Sequence, residues 1–525
     1  MKFIINKLHN NVINTYSKKS WIIPLFFIFF VIILFFSPYF KIHFSNDDYI
    51  QEALPISDFA SQASSQGRPL LSLIIVIANR LNINLVTHQM LIWPLVLILY
   101  GLSLFFVYKI LLGKSYLKKQ INWAILLLTP LTLTTWGMAE MQTFASMNLA
   151  YAFAFFFCII AAYLLIFYNS SKILVLSFIL IAISLFFYQG YISYLIPIVF
   201  LGLFTNLGYN KKFAQKNLLA VCFYSLSYFL DWTWIRFIHP HIPLLSHWTD
   251  SRTATPNVIN NLIAIFKGLK IILFDSYHLF PPLIFLGFII LSIIFPIFFP
   301  LTTKNFYLKI KLILINFLFF SLIIFFSSLP HLFTGSVSYS IRSILAVAAI
   351  PVFLSILNLF NYFKILNKHS VLREKKIYFY PIIVILIFAF AYFILSFYNM
   401  QRYGQDIINV NKIDLSVARE FYSGIQKYEN KSGKKIDTIY FINDLNPYDC
   451  YEKIVNCGNG VLYLKAFAVS WADIFPLNKV SGRNWNIMPF NYGKYVSKFG
   501  NKNWNAINTK EQLNFDGNNA VITVF

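Results

Sequence analysis

A short polar segment near the N-terminus, residues 41–68, carries the side chains best suited to chemistry. It contains Ser45-Asn46-Asp47-Asp48-Tyr49 and, further along, Gln66-Gly67-Arg68-Pro69-Leu70. A carboxylate can accept a proton from an attacking hydroxyl group as the transition state forms. A guanidinium group matches a pair of phosphate oxygens and stays charged at physiological pH. The segment therefore combines a candidate general base with a candidate phosphate ligand.

The two aspartates are assigned different roles, because adjacent residues of a regular element cannot both face one cavity. Asp47 and Asp48 are both candidate catalytic residues, one as the base and the other as a positioning group, with a slight preference for Asp48 as the base. Arg68 is the candidate ligand for the phosphate of a donor. Tyr49 and Gln66, which lie beside these charges in the sequence, are candidate substrate-binding residues.

The alternative for the acidic pair is a purely structural role at the start of a helix. Ser45 or Asn46 would then be the N-cap residue. Both aspartates would lie in the first turn, where the positive end of the helix dipole favours negative charge.

Other polar residues are predicted at the same level, near the ends of apolar segments. Glu140 follows one such segment, Gln189 and Tyr191 flank Gly190 at a predicted hairpin, and Arg342 lies beyond Pro330-His331 at the start of another segment. A charge this close to hydrocarbon is costly, so it indicates a functional role or a buried ion pair. Glu140 is a candidate substrate ligand, with an arginine partner as the alternative. Arg342 is a second candidate phosphate ligand, with snorkelling to the interface as the alternative.

The segment 236–256 concentrates imidazole, indole and charged groups: His239, His241, His247, Trp248, Asp250 and Arg252. Imidazole and carboxylate suit several divalent metals, but the spacing matches no defined metal site. Trp248, Asp250 and Arg252 are instead candidate contacts to sugar or phosphate, and an ordinary loop is the alternative. We predict no metal and no other cofactor.

Membrane-spanning helices must position these residues, because the chain is 58% apolar and only 12% charged. Soluble domains carry about twice that charged fraction. Apolar runs long enough to cross about 30 Å of hydrocarbon predict eleven spans. The predicted spans are 21–40, 88–111, 121–137, 144–167, 173–188, 191–207, 218–237, 278–299, 311–329, 341–360 and 377–397.

The positive-inside rule predicts the orientation of these spans. With a cytoplasmic N-terminus, the cytoplasmic segments hold 20 of the 43 basic residues, and only Glu374 of the nine carboxylates before residue 400 lies among them. Two interrupted apolar stretches, 69–87 and 257–275, are interpreted as interfacial helices. Counting only one of them as a span would invert every later loop, whereas counting both would not. The net charge of +23 follows from these loops and from anionic headgroups, so we expect no nucleic-acid partner.

Residues 399–525 are polar and are predicted to form a small extracytoplasmic α/β domain after the transmembrane domain 1–398. Apolar residues from Ile407 to Ile425 recur every three or four positions, which predicts a helix. Segments 436–442, 461–469 and 519–525 are rich in Val, Ile, Tyr and Phe and predict strands. Outside the cytoplasm Cys450 and Cys457 would form a disulfide bond, and the alternative is two thiols in a cytoplasmic domain.

The motif Asn46-Asp47-Asp48-Tyr49, followed by Gln66-Gly67-Arg68-Pro69-Leu70, resembles the opening of the GtrII-type glucosyltransferases. The many predicted spans and the acidic first outer loop are similar too. Asp47 and Asp48 match the acidic pair of that family, and Arg68 matches its Gly-Arg-Pro arginine. The resemblance implies a GT-C class membrane glycosyltransferase with a GT-C-like arrangement of about 11 transmembrane helices and its catalytic loop at 41–68.

The resemblance further implies the reaction and the location. A hexosyl group, glucose in that family, would pass from a polyprenyl-phosphate donor to a cell-envelope glycan such as O-antigen, modifying lipopolysaccharide with inversion on the periplasmic face. The protein would be a multi-pass protein of the bacterial inner membrane, working with a donor synthase and a flippase.

Three other functions remain open from the sequence. A transporter would place ionisable groups near the bilayer midplane, often at broken helices, whereas these carboxylates lie near predicted span ends. A polymerase or ligase of lipid-linked glycans would share the substrates. A structural or accessory membrane protein would need none of the site residues.

Overall fold

The structure of this chain, a computed structural model, is dominated by α-helices. It describes residues 21–45, 47–49, 55–113, 118–208, 210–243, 245, 257–276, 279–281, 283–300, 306–333, 341–368, 380–443, 466–468, 473–487 and 508–524. Several predicted site residues lie outside these ranges, together with the predicted disulfide bond: Asn46, His247, Trp248, Asp250, Arg252, Cys450 and Cys457.

Long apolar helices make up most of the described chain. Within it, seven helices are long and apolar enough to cross a bilayer: Ile22–Phe40, Gln89–Leu112, Ala145–Phe167, Gln189–Leu207, Lys211–His241, Phe306–Phe333 and Tyr380–Ser432. Each helix satisfies its own backbone hydrogen bonds, which lipid cannot do. The fold is that of a helical membrane protein.

The helices are numbered here in chain order. They are α1 (Ile22–Phe36), α2 (Ile56–Ser65), α3 (Pro69–Arg80), α4 (Gln89–Leu112), α5 (Lys118–Leu131), α6 (Met138–Gln142), α7 (Asn148–Phe167), α8 (Ser171–Phe187), α9 (Leu195–Leu207), α10 (Lys211–Thr233), α11 (Val258–Phe274), α12 (Ile284–Ile294), α13 (Phe306–Ser328), α14 (Ile350–Lys368), α15 (Tyr380–Ser432), α16 (Phe475–Ser481) and α17 (Thr509–Gln512). Short 3-10 turns cover Ser37–Phe40, Ala145–Met147, Gln189–Tyr194 and Ile341–Ser343.

Every predicted span contains a helix, but four of these helices are shorter than the seven above. They are Asn122–Leu131, Ser171–Phe187, Ile284–Phe298 and Ile350–Leu366. The predicted span 341–360 loses its first turns because 3-10 turns occupy the chain around Arg342. The interfacial stretch 69–87 is helical only over Pro69–Arg80. The count of eleven spans stays a prediction.

The polar C-terminal region begins without a break in the helix. α15 continues through residue 398, the predicted domain boundary, as one helix of 53 residues. The strands β1 (Thr438–Asn443), β2 (Asn486–Ile487), β3 (Leu513–Asp516) and β4 (Asn519–Val524) form one sheet in the order β2-β1-β4-β3. β1 pairs in parallel with β2 and β4, while β3 is antiparallel to β4.

Two predicted strand segments are confirmed, since β1 overlaps 436–442 and β4 overlaps 519–525. In the third segment only Ala466–Ala468 is described, and it forms a 3-10 turn. The apolar face of α15 packs against the sheet through Phe421 and Ile425, both fully buried. The predicted helix from Ile407 to Ile425 is therefore confirmed as the C-terminal half of α15.

Candidate active site at the helix ends

The carboxylate of Asp48 is fully buried and holds two chain segments together. Its Oδ2 accepts hydrogen bonds from Ser45 N and Ser45 Oγ, both at 2.9 Å, and from Ala145 N at 3.0 Å. Its Oδ1 accepts from Ser146 N at 3.1 Å. In return Ser45 Oγ accepts from Asp48 N at 3.1 Å, which completes a capping box. Asp48 thus anchors its own turn and the N–H groups at the start of the turn that leads into α7.

The rest of the segment around Asp48 is clamped from both sides. Toward the helical bundle, His43 Nε2 lies 2.9 Å from Gln142 O, and Gln89 Nε2 donates to His43 O at 3.0 Å. Toward the C-terminal region, Phe44 N donates to Asn411 Oδ1 at 2.8 Å, and Asn411 Nδ2 donates to Phe44 O at 2.9 Å. The position of the acidic pair is therefore set by contacts with both parts of the chain.

Asp47 differs from Asp48 because its side chain is only partly buried. Its negative charge acts on the guanidinium group of Arg342. Both aspartates lie in one helical turn, where Asp48 N donates to Ser45 O at 3.1 Å. Asp47 is thus the aspartate of the pair that lies near a cation and retains access to solvent.

Arg68 is surrounded by polar and aromatic groups at the start of α3. Its Nε donates to Gln189 Oε1 at 3.2 Å, and its Nη1 donates to Gln66 Oε1 at 2.8 Å. The guanidinium carbon lies 4.7 Å from the ring centroid of Tyr188. The backbone turns back at Gly67, where φ is +78°, and an added β-carbon there would lie 2.3 Å from Asp231 Oδ1. Glycine is therefore required for this approach.

Arg342 is held by the predicted candidate Glu140. Arg342 Nε lies 3.6 Å from Glu140 Oε1, and Arg342 N donates to Glu140 Oε2 at 3.3 Å. Burial raises the pKa of the Glu140 carboxyl group, and the Arg342 charge opposes this increase. The Arg342 guanidinium carbon also lies 4.8 Å from the ring centroid of Phe144. The arginine partner expected for Glu140 is present.

A pair of tyrosines connects the two arginines. The rings of Tyr151 and Tyr188 meet edge to face with centroids 4.6 Å apart. Tyr188 lies under Arg68, and the charges of Arg68 and Arg342 both act on Tyr151. Gly190 allows its own segment and the Arg342 segment to approach closely, because a β-carbon there would clash with Arg342 O. The charges of two guanidinium groups therefore act on one aromatic pair, and guanidinium groups are suited to binding an anion such as phosphate.

The other residues singled out in the sequence have contacts of their own. Tyr49 is buried and stacks on Phe44 with ring centroids 5.1 Å apart. Gln66 directs its side-chain oxygen to Arg68. Tyr191 is fully buried, with its hydroxyl 2.7 Å from Tyr100 Oη. His239 is buried against Ser64 Oγ at 3.0 Å. Among the described residues, no group of three His, Cys, Asp or Glu residues is arranged to hold a metal ion.

Sequence reasoning missed Tyr188, Tyr151 and Phe144, which form the aromatic walls. Aromatic side chains make up 19% of this chain. Their presence in the sequence therefore does not separate these three residues from the other aromatic residues. The one usable signal is the sequence Tyr188-Gln189-Gly190, where an aromatic, an amide and a glycine follow a helix end.

Comparisons with protein-family models, with curated proteins and with solved structures find no match to this chain.

Proposed function

We propose that this chain is a GT-C class glycosyltransferase that moves a hexose from a polyprenyl-phosphate donor to a cell-envelope glycan such as O-antigen. Glucose is the hexose that we expect. One observation carries the proposal. Arg68 lies over Tyr188, the charges of Arg68 and Arg342 both act on Tyr151, and the Asp47 charge acts on Arg342, although these residues are distant in sequence. A phosphate ligand and a carboxylate base are the two groups that such a transfer needs.

The chemistry follows from the charges. The Asp47 carboxylate accepts the proton of the acceptor hydroxyl while its oxygen attacks the anomeric carbon. The bond from that carbon to the phosphate oxygen breaks on the opposite face, so the configuration inverts and polyprenyl phosphate leaves. Arg68 and Arg342 stabilise the negative charge that develops on the leaving phosphate. Asp48, whose oxygens already accept four hydrogen bonds, positions the turn.

The finer features belong to the same proposal. Eleven spans with a cytoplasmic N-terminus would place the site and an α/β domain from residue 399 on the periplasmic face of the bacterial inner membrane. The lipid-linked donor would arrive there through a donor synthase and a flippase. The apolar helices described above support the membrane setting.

The proposal is tested with single substitutions assayed in membranes with polyprenyl-phosphate-glucose and a glycan acceptor. Asp47→Asn should lower kcat by about 100-fold or more, since positioned bases contribute about 10²–10⁴ in rate. Arg68→Gln and Arg342→Gln should chiefly raise the KM for the donor. Asp58→Asn is the matched control, because Asp58 is a partly buried carboxylate in the same N-terminal segment and accepts a hydrogen bond from Ser57 Oγ at 3.4 Å.

Two results would contradict the proposal. If the wild-type protein transferred no sugar from any polyprenyl-phosphate donor, the proposed function would be refuted. Full activity of Asp47→Asn, with activity lost only in Asp48→Asn, would reverse the two assigned roles.

A further inference from the structure

The imidazole ring of His43 is fully buried between two backbone carbonyl groups. Its Nδ1 lies 2.9 Å from Lys41 O, and its Nε2 lies 2.9 Å from Gln142 O. The backbone carbonyl of His43 is bound as well, because Gln89 Nε2 donates to it at 3.0 Å. His43 therefore ties its own segment to α4 and to the end of α6.

The two carbonyl partners determine the protonation of the ring. A carbonyl oxygen only accepts hydrogen bonds, so each ring nitrogen that faces one must carry a proton. A neutral imidazole has one N–H group and one bare nitrogen, whereas the imidazolium form has two N–H groups. A neutral His43 would turn a lone pair toward one of the two carbonyl oxygens and lose that hydrogen bond. Only the doubly protonated, positively charged ring satisfies both contacts.

The short segment 142–146 has groups of opposite polarity facing the His43 ring and the Asp48 carboxylate. A buried charge costs a large free energy unless such groups face it. The carbonyl of Gln142 faces the ring, and the N–H groups of Ala145 and Ser146 donate to Asp48 at 3.0 and 3.1 Å. One segment of the chain thus binds a cation at one end and an anion at the other.

The other ionisable groups on the neighbouring elements do not change the number of hydrogen bonds at the ring. The ring of Tyr39 meets that of His43 edge to face, with centroids 5.6 Å apart. On α6, the carboxylate of Glu140 pairs with an arginine. On α15, the charge of Asp406 acts on Tyr39. The requirement for two ring protons therefore follows from the two carbonyl contacts.

We propose that His43, in its doubly protonated form, is a positioning residue that ties the candidate catalytic turn to the end of α6. The inference rests on the proposed function and adds a charge that the turn requires. Between the two buried charges, Ser45 N and Ser45 Oγ donate to Asp48 Oδ2, both at 2.9 Å. Loss of the second ring proton would release one carbonyl contact, and the turn that carries Asp47 would lose one of its anchors.

Two substitutions separate the two contacts of the ring. In His43→Gln the amide nitrogen takes the place of Nε2 and keeps the contact with Gln142 O. In His43→Asn the amide nitrogen takes the place of Nδ1 and keeps the contact with Lys41 O. His241→Gln is the matched control, because His241 is exposed.

The first measurement tests the charge through thermal unfolding of the four proteins in detergent. The midpoints are compared at about pH 5.5 and about pH 8.5, on either side of the ordinary histidine pKa of about 6.5. A charged ring that the folded protein stabilises contributes stability at low pH, and this contribution is lost as pH rises. The midpoints of His43→Gln and His43→Asn should lie about 2 °C or more below wild type at the lower pH. This difference should narrow at the higher pH, and His241→Gln should match wild type at both.

The second measurement tests positioning through sugar transfer in membranes at the lower pH, with polyprenyl-phosphate-glucose as the donor. His43→Asn, which loses the contact with α6, should lower kcat about tenfold or more. His43→Gln, which keeps that contact, should retain most of the activity. The KM for the donor should stay the same in both variants, because Arg68 and Arg342 are unchanged.

The inference and the proposed function fail in different ways. If wild type transfers no sugar, the proposed function fails, and the unfolding midpoints still decide whether the ring is charged. If the difference in midpoints is the same at both pH values, His43 does not carry the second proton and the inference is refuted. If His43→Asn has the kcat of wild type, or if both variants lose activity equally, the positioning role through Gln142 is refuted.

Discussion

Asp48→Asn tests whether the buried aspartate serves architecture rather than proton transfer. Three of its four hydrogen bonds end at Oδ2 and one at Oδ1. An asparagine oxygen in the Oδ2 position would keep three donors satisfied, but its amide would then face Ser146 N–H. One bond to a charged acceptor, worth about 1.5–3 kcal/mol, would be lost, and the others would lose their charge assistance. We expect a destabilisation of about 3 kcal/mol.

The same geometry ranks two further substitutions. Ser45→Ala removes the other half of the capping box and should cost about 1 kcal/mol. Asp47→Asn changes a partly exposed residue and should stay within about 0.5 kcal/mol of wild type. Thermal unfolding in detergent, followed by tryptophan fluorescence, should therefore give the lowest midpoint for Asp48→Asn and an intermediate one for Ser45→Ala. A midpoint for Asp48→Asn equal to that of wild type would refute this reasoning.

Two further predictions concern the ion pair and the orientation. Burial raises the pKa of Glu140 despite the opposing Arg342 charge, so Glu140 should become neutral at a pH above its ordinary value near 4.3. Acidification through that raised pKa would free Arg342 from its ion pair, so the KM for the donor should fall as pH falls. Glu140→Gln should abolish this pH dependence. If the KM of the variant changed with pH as it does in wild type, Glu140 would not be the group responsible. For orientation, Lys431→Cys, at an exposed position near the end of α15, should react with an impermeant maleimide from the periplasmic side. Reaction only after cell lysis would contradict the proposed topology.

The helices could be predicted from the sequence because lipid leaves few alternatives. Apolar runs bounded by charges predict helices wherever the backbone must form its hydrogen bonds within the same segment. Their ends were less predictable, as at Arg342, where 3-10 turns replace the predicted start of a span. In that turn Arg342 pairs with Glu140, a contact from a distant part of the sequence that the local apolar pattern does not indicate.

The pairings within the site could not be predicted, because they depend on tertiary structure. Arg68 and Gln189 are 121 positions apart, and Arg342 and Glu140 are 202 apart. Asp48 was the harder case. Its partners across the fold are backbone N–H groups, which every residue except proline possesses, so no residue type marks them.

The two aspartates illustrate why a motif does not reveal which of its members reacts. A general base needs an available lone pair and a path to the acceptor, whereas a positioning group needs bonds that cannot move. Asp48 accepts four hydrogen bonds while fully buried, and Asp47 is partly exposed beside a cation. The clamp from Phe44 to Asn411 adds a second fixed point from α15. Under the proposed function, the bonds that fix Asp48 would leave it unsuited to act as the base and would hold Asp47 in place for the reaction.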